Sequence, residues 1–114
     1  MTPERDRVYL ADMVEAVEKV FSYTRGGKTE FMEDGKTRDA VVRNLEILGE
    51  AAKRVSEKIR LSHPEVPWRE VAGMRDKLIH DYGQVDTLRV WDVIESRLPA
   101  LLLDLRAISR SLEG

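Results

Sequence analysis

The eight residues Arg75-Asp76-Lys77-Leu78-Ile79-His80-Asp81-Tyr82 bring an arginine, a histidine and a tyrosine together, with Gly83 directly after. A guanidinium is a permanent cation whose planar fork matches phosphate oxygens, and an imidazole titrates near neutrality. Together they suit attack of an RNA 2′-hydroxyl on the adjacent phosphate. In that reaction the histidine moves the proton and the arginine stabilises charge on the phosphate oxygens. It requires no metal and no activated water. Asp76 and Asp81 are placed to orient either group. The bare spacing is weak: with thirteen arginines and two histidines, chance supplies such a pair roughly one time in five. A histidine near a helix C-terminus is also favoured by the helix dipole alone. From the residues themselves, a catalytic and a structural His80 both stand.

No other group competes with this stretch. His63 lies between Ser62 and Pro64 in a turn and reads as a plain surface residue. Metal binding has little support, because the two histidines are far apart and no ligand-spaced cluster is present. Glu46 and Glu50, four residues apart, fit a solvated helix face better than a metal pair. Trp68 and Trp91 read as core or lid aromatics, and there is no Gly-rich phosphate loop. No cofactor is expected.

Composition narrows the class. A chain of 114 residues with 42% hydrophobic residues matches one domain with one modest core. The 35% charged content and few aromatics suit a helical bundle with solvated faces. The absence of cysteine fits a reducing cytoplasm, and no apolar run approaches the ~20 residues that cross a bilayer. The N-terminus, Met1-Thr-Pro-Glu-Arg-Asp-Arg7, is too charged for a signal peptide. A net charge of −2 argues against broad DNA binding, yet leaves room for a small basic cleft holding one phosphate.

The elements that must position the motif are helices. Thr2-Pro3-Glu4 starts the first, with Thr2 as N-cap and Pro3 at the first helical position. Leu10, Val14, Val17 and Phe21 form its stripe, and Gly26-Gly27 ends it. Thr29 to Glu33 is read as a short extra turn before Asp34-Gly35. Val41, Leu45, Leu48, Ala52, Val55 and Ile59 keep 4-3-4-3-4 spacing along a second helix. Gly49, with Ala51 and Ala52, makes a low-relief patch on it that fits either close core packing or a subunit interface. Both prolines of Leu61–Pro67 exclude helix there. A third helix is expected from Pro67 to a stop at Gly83, with Val71, Met74, Leu78 and Tyr82 on one side. Asp86 caps a fourth, whose stripe of Ile94, Leu98, Leu101, Leu105, Ile108 and Leu112 passes through Pro99, where a kink or break is expected. No strand pattern appears, and the expected fold is an all-α, up-and-down bundle of four to five helices.

On a regular third helix Arg75 and Tyr82 share a face, whereas His80 stands about 140° around the axis from Arg75 at ~100° per residue. Loosening of the helix near Gly83 would close that gap. So would a second copy of the motif across a twofold axis.

Leu48-Gly-Glu-Ala-Ala52, the run Pro64–Arg75, His80-Asp-Tyr82 and Val90-Trp91 together resemble the HepT-like proteins of the HEPN superfamily. The resemblance extends from about Arg7 to Leu112, and Arg75, His80 and Tyr82 match its Arg-x4-His-x-Tyr motif in full. It implies a homodimeric, HEPN-like helical ribonuclease toxin of a type VII-like toxin–antitoxin pair. The implied partner is a small MntA-like nucleotidyltransferase antitoxin that transfers AMP to the motif tyrosine. Carried across, Arg75 and His80 are catalytic, Tyr82 is the AMPylated residue, and Asp76 is the polar residue after the arginine. A reading from another class is a non-catalytic helical subunit that binds a nucleotidyltransferase and positions its substrate. The requirement for an intact Arg75/His80 pair in toxicity separates the two.

Overall fold

A computed structural model describes residues 3–79 and 84–113. The expected cap Thr2, the motif residues His80, Asp81 and Tyr82, and the expected stop Gly83 lie outside the described residues. The described chain is all helical: α1 (Pro3–Tyr23), α2 (Gly27–Glu33), α3 (Gly35–Arg54), α4 (Glu57–Ser62), α5 (Trp68–Ala72), α6 (Met74–Leu78), α7 (Thr87–Ser96) and α8 (Leu98–Glu113). The all-α bundle is as the periodicity predicts. The eight segments, rather than four or five, come from breaks inside three of the expected helices.

The start of α1 meets the end of α3, since Asp6 bonds Ser56, so these two long helices run antiparallel. α8 packs on α1, while α5 and α6 pack on α3 beside Gly49 and Glu46. One core joins them: Leu10, Met13 and Val17 from α1, Leu45 and Leu48 from α3, Val71 and Leu78 from α5 and α6, and Leu98, Leu105 and Ile108 from α8. Trp68 is buried in it and donates its indole N–H to the His63 carbonyl at 3.0 Å. Trp91 lies against Phe31, with ring centroids 5.4 Å apart.

Local chemistry explains most boundaries. Gly27 at φ 89° occupies the left-handed region where a side chain is strained, and turns α1 into α2. The Asp34 carboxylate accepts from the Lys36 and Thr37 N–H groups and caps α3. Asp86 caps α7 in the same way, accepting from Arg89.

The breaks are less local. The second-helix stripe continues to Ile59 in sequence, but the backbone turns extended at Val55 (ψ 136°) and Ser56. There the Asp6 carboxylate accepts from both the Ser56 N–H and its hydroxyl, each at 2.8 Å, and Ser56 also caps α4. The third helix breaks at Gly73 and ends at Leu78, not at Gly83. Ile79 is extended and forms an isolated antiparallel bridge with Val85, with Asp86 N–H on Leu78 O at 2.9 Å. The fourth breaks at Arg97, two residues before Pro99, which then sits in the first turn of α8 where its missing N–H costs nothing.

Candidate functional site

Arg75 is on α6, a five-residue helix whose Met74 and Leu78 are anchored in the core. Between those anchors Arg75, Asp76 and Lys77 are exposed. The guanidinium projects over a groove of about 400 Å³ between α3 and the α5–α6 pair. Arg43, Glu46, Glu50 and Lys53 line it from α3, and Arg75 and Asp76 from α6. Positions 43, 46, 50 and 53 follow 3-4-3 spacing, so one face of α3 supplies all four.

Gly49 lies on that face and decides how close the two walls come. A Cβ built there would meet the carbonyl oxygens of Val71 at 3.1 Å and Ala72 at 3.3 Å. The small-residue patch is therefore occupied within the chain, by the backbone at the end of α5. Of the two readings open for Gly49, close core packing accounts for it.

The acids sort into pairs. Glu46 Oε2 accepts from Arg75 Nε at 3.3 Å. Glu50 meets Lys53 at 3.2 Å and Arg54 at 3.4 Å. The Lys53 ammonium, hydrogen-bonded to it, is the main cause holding the Glu50 carboxyl below its ordinary range. Arg43 pairs with no carboxylate among the described residues. With three cations facing three acids, the groove lacks a strong net field and offers an anion the forks of individual arginines.

Several expectations change here. α6 stops at Leu78 and Ile79 is extended, so the regular helix from which a shared face of Arg75 and Tyr82 was read is interrupted at residue 79, and Tyr82 itself lies outside the described residues. The 140° separation of Arg75 and His80 loses its premise for the same reason. Asp76 lines the groove, but the carboxylate on Arg75 is that of Glu46. Glu46 had read as part of a solvated face, and Arg43 carried no signal at all. What links them to Arg75 is the α3–α5 approach at Gly49, 29 residues from Arg75 to Glu46 along the chain. His63 is partly buried rather than simply exposed: its ring meets Glu65 at 3.2 Å and its carbonyl serves Trp68. Among the described residues no group of three or more His, Cys, Asp or Glu could hold a metal. None of the described helices is long and apolar enough to cross a membrane.

The described residues form an all-α bundle, consistent with a HEPN-like domain, and carry an arginine-bearing groove between α3 and the α5–α6 pair. The family model described as ribonuclease HepT-like matches residues 13–108, and the chain belongs to that family. It is 38% identical over 114 residues to "Putative RNase MJ1216" of Methanocaldococcus jannaschii, covering 98% of this chain and 94% of the relative. It is 47% identical over 94 residues to "Probable ribonuclease HepT" of Thermococcus cleftensis, covering 82% and 86%. "Putative RNase TTE0752" of Caldanaerobacter subterraneus is 41% identical over 96 residues, with 83% and 86% covered. No solved structure matches the chain. At the level of the family, this is a ribonuclease fold whose substrate class is RNA.

Proposed function

We propose that this chain is a metal-independent endoribonuclease and the toxic half of a toxin–antitoxin pair. Arg75 binds the scissile phosphate and stabilises its developing charge, and His80 acts as general acid–base in attack by the neighbouring 2′-hydroxyl. The carrying observation is the placement of Arg75 in a chain of a ribonuclease family. It is exposed over a groove, tethered at Nε, with no carboxylate among the described residues on its Nη edge. A homodimer about a twofold axis would bring two motifs to one cleft. A nucleotidyltransferase partner would silence the enzyme by placing AMP on Tyr82. The added phosphate would repel the RNA backbone and the adenosine would fill the cleft.

The test is cleavage of a single-stranded oligoribonucleotide, alongside growth arrest on expression. Arg75→Ala and His80→Ala should each lower cleavage by at least ~10²-fold and relieve arrest, with circular dichroism unchanged. EDTA should leave the wild-type rate intact. Wild-type cleavage by His80→Ala would refute the catalytic assignment of His80, whereas a wild-type protein that cleaves no RNA would favour the non-catalytic subunit that positions a nucleotidyltransferase substrate.

A further inference from the structure

The Arg75 guanidinium is tethered at a single edge. Nε donates to Glu46 Oε2 at 3.3 Å, while Nη1 and Nη2 meet no carboxylate among the described residues. The two partners differ in freedom: the Arg75 side chain is 58% exposed and that of Glu46 only 30%. Glu46 stands in the middle of the twenty-residue α3, one residue from buried Leu45 and two from buried Leu48. Arg75 stands on a helix one and a half turns long. The carboxylate is thus the fixed member, and the arginine is the member that needs fixing.

That tether has a chemical consequence. An arginine can hold two phosphate oxygens through Nε with one Nη, or through the Nη1/Nη2 edge. Occupying Nε–H with a carboxylate removes the first option and turns the second toward the open groove. It also restricts the rotation of a four-torsion side chain before substrate arrives, which is pre-organisation of the charge-stabilising group. The contact is possible because Gly49, three residues after Glu46, lets the Val71 and Ala72 carbonyls approach α3 closely. Three residues beyond Ala72, Arg75 then falls beside Glu46.

We propose that Glu46 is a positioning residue for RNA cleavage, orienting Arg75 so that its Nη1/Nη2 edge receives the scissile phosphodiester. This rests on the ribonuclease reading above. Cleavage of a single-stranded oligoribonucleotide is measured for wild type, Glu46→Ala and Glu46→Gln, together with the ¹⁵N resonance of the Arg75 Nε–H group. Glu46→Ala should lower kcat about 10- to 100-fold, the scale of a misplaced catalytic group, with KM changed less than about threefold. Glu46→Gln keeps an amide oxygen that can accept from Nε and should recover activity to within about fivefold of wild type. The Nε–H resonance should shift in Glu46→Ala. Undiminished kcat in Glu46→Ala, Glu46→Gln as impaired as Glu46→Ala, or an unmoved Nε–H resonance would each overturn the assignment while leaving the nuclease reading in place. A wild-type protein that cleaves no RNA would instead overturn the ribonuclease reading and this assignment with it.

Discussion

Replacing Gly49 with alanine sets two calculable effects against each other. In a helix interior the change is favourable by about 1 kcal/mol from propensity alone. Against it, the new methyl would stand 3.1 Å from Val71 O and 3.3 Å from Ala72 O, both backbone atoms of α5. A flexible side chain would rotate away from such a contact. A helix-end carbonyl must move with its helix, and overpacking of this kind costs about 1–3 kcal/mol. The net expectation is a loss of about 0–2 kcal/mol, or a melting temperature lowered by up to ~10 °C. Gly49→Val adds two more methyl groups at the same carbonyls and loses part of the propensity gain, so its loss should be larger, about 2–4 kcal/mol. Thermal unfolding followed at 222 nm, with urea titration to confirm the order, measures both. Because α5 leads directly into α6, Gly49→Ala should also displace Arg75 and reduce RNA cleavage about tenfold or more. A Gly49→Ala protein more stable than wild type by the full ~1 kcal/mol of helix propensity would show that α5 does not press on α3, and would refute the reasoning.

Asp6→Ala should destabilise the fold by about 2–3 kcal/mol, since it removes a buried acceptor of two 2.8 Å bonds and strands the Ser56 N–H; urea unfolding within 0.5 kcal/mol of wild type would contradict this. The Asp34 carboxyl is held below its ordinary range chiefly by the Thr37 hydroxyl, then by the Thr37 N–H. A lowered folded-state pKa means stability present above the ordinary carboxylate range and lost as pH falls through the folded value. The melting-temperature deficit of Asp34→Ala should therefore be full at pH 7 and shrink on acidification below that range; a deficit constant with pH would count against the cap. Tyr82→Phe should retain nuclease activity yet escape silencing by the nucleotidyltransferase with ATP. Intact-mass analysis showing AMP added to Tyr82→Phe as readily as to wild type would remove Tyr82 as acceptor.

What the sequence by itself determined is largely what neighbours along a chain can settle. Helical periodicity is local, so the stripes of α1, α3 and α8 were legible, as was the cap Asp86, whose partner is three residues away; Asp34 read only as the end of the extra turn, and the structure shows it capping α3. The Arg75-x4-His80-x-Tyr82 spacing was legible for the same reason, and it led to the family. The break expected near Pro99 falls at Arg97, but the other two breaks were not legible. Ser56 leaves the helical path where Asp6, fifty residues earlier, satisfies its N–H and hydroxyl, and nothing in the stripe from Val41 to Ile59 announces this. Likewise Ile79 exchanges helix for a bridge to Val85, which ended the third helix before the motif histidine and undid the face geometry drawn for it. Only the tertiary structure decided the company Arg75 keeps. Its partner Glu46 reads in sequence like any exposed helix acid, and becomes a tether because the α5 carbonyls close to within 3.1 Å of where a Gly49 side chain would stand. A hydrogen bond needs its partners within about 3.5 Å. Between residues 29 apart, that condition is met by packing rather than by spacing.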